Sequence, residues 1–310
     1  MRVVSDYQSN VYLKNDMYNL AFLAKFKPER FNSHRAIGPI SRYFQNMFNR
    51  SAVASKKIWF PKNKNIESSI NEINLKSSGG INEAWEMNPD NRKKYVIIIH
   101  GLGHNISRLQ DLYENILNKT KFGILAPEYR NLTKQSEESN KLFKAFSYKA
   151  MEEDFQAPVN YLVDKGIKEN DIFVLGNSFG GYPASIVGKN NENIGGVMLL
   201  ATINSFESIY DNIIKGTKKQ IPKYIKFFIK HFNICRNKFK RTYRTEDLLE
   251  DTKVPVDIIH AEDDALIDIK YIKHLGEKCK NLKSFIKLKT GNHRMDKNKI
   301  NAVVDLLNTK

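Results

Sequence analysis

From residue 95 onward the chain alternates short, continuously apolar runs with stretches whose apolar residues recur every three or four positions. Residues 95–99 of KYVIIIHGLGHN are a tyrosine, a valine and three isoleucines, with no alternating polar position. A strand with one face in water would alternate, so this run predicts a strand buried on both faces, as in a parallel sheet. After it ISRLQDLYENILNK predicts a helix, FGILAPEYR a strand, and YKAMEEDFQAPVNYLVDKG a helix with Pro158 as a kink site. DIFVLG predicts a strand, YPASIVGK a helix and IGGVMLLAT a strand. Strand and helix taking turns in this way imply βαβ crossovers and a mostly parallel sheet covered by helices.

The rhythm breaks after Thr202 for about fifty residues. It resumes with VPVDIIHAEDD, IKYIKHLGEKCK, SFIKLKTGNH and a final helix KINAVVDLLN. Upstream, KKIWFP and INEINLKSSGGINEAWEM predict strands, with a Gly-Gly turn that makes an antiparallel pair at the sheet edge. Residues 1–55 mix short aromatic stretches with Lys, Arg and Asn, and predict a helical arm or extension. The expected organisation is therefore an α/β domain over 56–310 with a sheet of about eight strands, interrupted by an insertion at 203–253.

Composition adds limits rather than identity. The 310 residues are 41% hydrophobic, enough for a sizeable core, and carry a formal charge of +16. Lysine is spread along the chain, with no arginine-rich recognition helix or aromatic ribonucleoprotein motif, so diffuse surface charge is favoured over nucleic-acid binding. Cys235 and Cys279 form no C-x-x-C pair, which indicates neither a disulfide framework nor a zinc site and suits a reducing, cytoplasmic compartment. The sequence holds no secretory h-region at its start and no run of the ~18 apolar residues that spanning a bilayer needs.

Chemistry enters at FVLGNSFGGYPA, residues 173–184, where three glycines fall within six positions of one another around Ser178. If a buried strand ends near 175 and a helix opens near 182, Ser178 sits on a sharp strand-to-helix turn. Gly176 and Gly180 would then let the two backbone arms pass closely, the G-x-S-x-G nucleophile-elbow pattern. A serine hydroxyl needs a base, and the base needs a partner that fixes its tautomer. His293 in TGNHR and the carboxylates of HAEDDALI both follow predicted strands, on the carboxyl edge where sites of open α/β sheets form. Asp264 competes there with Asp263 and Asp268, and His293 competes with His260 and His104.

HGLGHN, GNSFGG, HAEDDALI and GNH, in this order and each at the end of a predicted strand, resemble the α/β-hydrolase superfamily over nearly all of residues 56–310. The resemblance is nearest to its serine lipase, esterase and thioesterase branches. It implies Ser178 as nucleophile, His293 as base and Asp264 as acid, because Ala261 to Asp264 followed by Ala265, Leu266 and Ile267 has the family's spacing. An oxyanion would be met first by the amide of Phe179; the resemblance supplies Leu102 as the second donor. PEYRNLTKQS matches the acidic-Tyr-Arg pattern at Glu128, Tyr129 and Arg130, but Asn131 and Thr133 stand in place of glycines. No metal or organic cofactor is implied.

The insertion contains IPKYIKFFIKHFNICRNKFKR, in which Ile225, Phe228, Ile229 and Phe232 recur at helical spacing beside lysines. A cap helix facing an acyl pocket is the favoured reading; a second adds peripheral contact with an anionic membrane surface. Both point to a small-molecule or lipid-like acyl substrate with an apolar portion. Thioesterase, acyltransferase and peptidase chemistry, or a non-catalytic binding scaffold, remain open at this level because fold and nucleophile do not fix the leaving group.

Overall fold

The computed structural model describes residues 64–78, 80–101, 104–130, 148–205, 208 and 244–310. The arm at 1–55, the KKIWFP segment, Leu102 and most of the 203–253 insertion, including its basic amphipathic stretch, lie outside the described residues. Helix α1 (Lys64–Ser68) leads into strands β1 (Ile70–Ser77), β2 (Gly80–Met87) and β3 (Lys94–Ile99). A 3-10 turn at Ile106–Leu109 precedes α2 (Gln110–Lys119), β4 (Phe122–Pro127), α3 (Tyr148–Asp164) and β5 (Ile172–Asn177). Then come α4 (Gly181–Asn190), β6 (Gly196–Leu200), α5 (Thr245–Leu249), β7 (Val256–Ala261), α6 (Ile269–Lys278), β8 (Leu282–Leu288) and α7 (Lys297–Leu307).

The strands form one sheet of eight in the order β1-β2-β4-β3-β5-β6-β7-β8. β1 and β2 pair antiparallel in register from Ile70 opposite Met87 to Ser77 opposite Gly80, and β1 is the edge, as the Gly-Gly turn predicts. β4 is antiparallel to β2, and every pair from β4 through β8 is parallel. β3, β5 and β6 are buried along nearly their whole length. Their alternate residues feed two cores. Ile97, Ile99, Val174 and Leu199 face α3, α4, α5 and α6, while Val96, Ile98, Leu175 and Met198 face α2 and α7.

One detail differs from the sequence-based expectation. The helix expected from Ile106 begins as a 3-10 turn, since Asn105 caps it by accepting the Ser107 N–H, and the α-helix proper starts at Gln110. Pro158 lies inside α3 without ending it. No described helix is long and apolar enough to cross a membrane.

The consequence for function is directional. Because β3, β5, β7 and β8 run parallel, their carboxyl ends lie along one edge, and that edge receives the loops bearing Gly101, Ser178, Asp264 and His293.

Candidate active site

β5 ends at Asn177, and Ser178 follows with φ +55, a left-handed conformation that a residue with a Cβ adopts only at a cost. Ser178–Gly180 then makes a single 3-10 turn into α4. The glycines are dictated by proximity. A Cβ on Gly176 would lie 2.3 Å from the Gly180 carbonyl oxygen, and one on Gly180 would lie 2.3 Å from the oxygen of Ile99. Gly181 was not singled out by the motif, yet a Cβ there would lie 1.9 Å from Thr202 Oγ1. All three hold the elbow against β3 and the end of β6. Gly180→Ala should therefore destabilise the fold by about 3 kcal/mol or more, because the obstructing atom is backbone and cannot rotate away. The shift in urea midpoint measures it, and an unchanged midpoint would mean that β3 and the elbow are not so tightly apposed.

Ser178 is partly exposed and its Oγ lies 2.9 Å from His293 Nε2. His293 Nδ1 lies 2.8 Å from Asp264 Oδ2. The remaining carboxylate oxygen, Asp264 Oδ1, accepts the backbone N–H groups of Leu266 and Ile267, each at 2.9 Å. With the carboxylate side chain fully buried and fixed from behind, it accepts Nδ1–H and leaves the Nε2 lone pair facing the serine hydroxyl. Such an arrangement can take the hydroxyl proton as the oxygen attacks an electrophile.

Burial alone would push the Asp264 carboxyl up, but the hydrogen bond and charge of His293 and the Ile267 N–H together hold it below the usual aspartate value. A carboxyl whose folded value lies below its unfolded one stabilises the fold above about pH 4 and loses that contribution as pH falls through the folded value. The stability gap between the wild type and Asp264→Asn in urea should accordingly be full near pH 6 and shrink below about pH 4. A gap that stays constant through acidification would contradict a depressed carboxyl.

The competing residues take other positions. His260 is fully buried; its Nε2 donates to the Ile267 carbonyl at 3.0 Å and lies 3.7 Å from Asp264 Oδ2, beneath the acid rather than in line with the serine. Burial lowers its proton affinity. His104 is pushed down to about 3, by burial first and then by His100, Arg108 and His293. Asp268 caps α6 by accepting the Lys270 N–H. Asp263, weighed as a solvated turn carboxylate, is exposed but accepts the Asn292 N–H at 2.7 Å and so ties the acid loop to the histidine loop. Asn292 Oδ1 in turn accepts from His293 N at 2.7 Å and Ala265 N at 3.3 Å.

The loop after β3 runs beside the elbow, for a Cβ on Gly101 would lie 3.2 Å from Ser178 Cβ. Leu102 itself is outside the described residues; Phe179 follows Ser178 within the turn, its side chain buried in the core. Motif reasoning gave no role to His100, yet it anchors this loop. Its Nε2 lies 2.5 Å from Glu128 Oε1, Glu128 Oε2 accepts the Ile106 N–H, and Tyr129 donates its hydroxyl proton to the His100 carbonyl. Arg130 is held in turn by Asp154 and Glu153. The acidic-Tyr-Arg segment thus underpins the loop although glycines do not follow it.

A family model described as serine aminopeptidase, S33, matches residues 90–234, a span that includes Ser178 and stops short of Asp264 and His293. No curated protein sequence matches the chain. Among solved structures, an esterase of Pyrococcus furiosus is similar at TM-score 0.63 and 16% identity, covering 82% of this chain and 94% of its own. A puromycin-hydrolysing peptidase of Mycobacterium tuberculosis gives 0.55 and 14%, covering 82% of this chain and 40% of its own. A bromoperoxidase of Bacillus anthracis gives 0.56 and 16%, covering 77% of this chain and 100% of its own. Identities this low carry architecture rather than activity, and architecture is what they share with the eight-stranded sheet and its elbow: the chain has the α/β-hydrolase fold.

Proposed function

We propose that the protein is a serine hydrolase that cleaves an acyl ester or thioester through a covalent acyl-enzyme. The observation that carries this reading is the unbroken chain of hydrogen bonds from Ser178 Oγ through His293 to Asp264. Ser178 attacks the acyl carbonyl while His293 Nε2 takes its proton, and Asp264 holds the imidazole and stabilises the charge it gains. The tetrahedral oxyanion is met by the Phe179 amide and, by resemblance, by that of Leu102. As the intermediate collapses, His293 returns the proton to the leaving oxygen or sulfur. A water then repeats the sequence on the acyl-enzyme, with His293 again as base, and regenerates Ser178. The apolar portion expected of the substrate rests on the FFIKHF stretch of the insertion.

Peptide hydrolysis is the second reading, and its support is the serine aminopeptidase model over 90–234. Labelling by a fluorophosphonate probe tests what both readings share. The wild type should be labelled at Ser178, and no label on folded protein would count against an activated serine. A panel of p-nitrophenyl esters of increasing chain length, acyl-CoA thioesters and aminoacyl p-nitroanilides then separates the two by the ratio of kcat/KM.

A further inference from the structure

The loop that presents His293 is built around a buried cation. Lys299, in the first turn of α7, has a fully buried side chain. Its Nζ donates to the carbonyls of Gly291 at 2.8 Å, Asn292 at 2.7 Å and Arg294 at 3.0 Å. An ammonium has three protons, and these three carbonyls use all of them. The acceptors bracket His293 on both sides. The loop also lies directly on the cation, since a Cβ on Gly291 would be 2.7 Å from Nζ. Gly291 and Asn292 both have positive φ, at +149 and +48, so the chain doubles back immediately before the histidine.

Helix stability does not account for this lysine. A cation in the first turn opposes the helix dipole, and the N-terminus already has its cap in Asp296, which accepts the Lys299 N–H. Burying an ammonium is costly unless it is fully hydrogen-bonded. Burial does depress its proton affinity, while Asp296, Asp264 and Asp263 oppose the shift. Asp263 also holds the loop, by accepting the Asn292 N–H. The histidine loop is thus held both by a carboxylate from the β7 loop and by the Lys299 ammonium.

We propose that Lys299 is a positioning residue: by binding the carbonyls of Gly291, Asn292 and Arg294 it fixes the loop that sets His293 between Ser178 and Asp264. This inference rests on the proposed roles of Ser178 and His293 for its kinetic consequence, but not for its structural one. Displacing a reacting group by about 1 Å costs on the order of 100-fold in rate, so the kinetic signature is a loss in kcat without a matching change in KM.

The test compares Lys299→Met with Val303→Ala, which removes buried packing from the same helix without touching the loop carbonyls. Activity on a soluble ester is read together with the downfield proton resonance of His293 Nδ1–H, assigned by its loss in His293→Gln. Lys299→Met should lower kcat about 10- to 100-fold with KM little changed, and should broaden or abolish the downfield signal. Val303→Ala should preserve both at comparable thermal stability. Equal behaviour of the two variants would overturn the proposal and leave Lys299 a residue of general stability. Should Lys299→Met not accumulate as folded protein, Lys299→Gln, whose amide keeps two N–H donors without the charge, carries the comparison; failure of both to fold would likewise overturn a specific positioning role. Undiminished turnover by Ser178→Ala would instead overturn the proposed function, and the His293 proton signal would still decide the role of Lys299.

Discussion

Ser178→Ala should give a folded protein whose acyl turnover has fallen about a millionfold, the scale on which loss of a serine nucleophile is felt when its base remains. Alanine keeps the Cβ and therefore the same strain at φ +55, and the elbow depends on Gly176, Gly180 and Gly181 rather than on the hydroxyl. Among the described residues the deleted oxygen makes one part-buried hydrogen bond, to His293, so the unfolding free energy should change by about 1 kcal/mol or less. On the proposed mechanism, what disappears is the atom that forms the covalent intermediate, and no amount of substrate binding replaces it. Steady-state kcat/KM on an activated ester, with thermal melts beside it, reads both quantities. Turnover that persists in the folded variant would mean that the reaction does not pass through this serine, and the arrangement around His293 would then need a water or another group as the attacking species. The presence of an esterase, a peptidase and a bromoperoxidase among structures of similar architecture is the reason this experiment outranks any argument from fold.

Much of the architecture was legible because burial on both faces forces a recognisable pattern. Residues 95–99 and 172–177 have no polar alternation, and they pair directly, Tyr95 opposite Ile172 through Ile99 opposite Gly176. Serine, acid and base could be placed on one edge because parallel strands all end there. The features that were not legible depend on how a loop folds back. Lys299 sits among Ile300, Val303, Val304 and Leu307, an apolar stripe beside which a lysine reads as a solvated neighbour. It is buried only because the loop at 291–294 turns its carbonyls toward it. His100 and Glu128 lie 28 positions apart, and their contact follows from β3 and β4 being neighbours in the sheet rather than from any motif. The choice between Asp263 and Asp264 is a rotation of one residue in a turn. Spacing learned from a family favours Asp264, but adjacency alone does not say which carboxylate faces inward.

That choice has its own consequence: Asp264→Asn should lower kcat/KM by about 10,000-fold, whereas Asp263→Asn should cost only a few-fold. The difference follows from hydrogen-bond polarity. The N–H groups of Leu266 and Ile267 both point at Asp264 Oδ1, so an asparagine there must place its carbonyl oxygen on that side. Its NH2 is then left facing His293 Nδ1, where the carboxylate oxygen had accepted a proton. The imidazole responds by carrying its proton on Nε2, and an Nε2–H cannot take the proton of Ser178. The geometry survives while the tautomer is wrong, so a variant that still folds, if less stably, loses its rate. Asp263 differs because its side chain is exposed and meets the histidine loop through backbone N–H groups, that of Asn292 first, rather than through the imidazole. An asparagine amide oxygen can accept that same N–H, with its NH2 turned to water. Measuring both variants against one ester, with Ser178→Ala as the floor, separates the roles. Equal losses from the two substitutions would show that the carboxylates act together in holding the loop at 291–294, and the assignment of Asp264 as the partner that sets the His293 tautomer would fall.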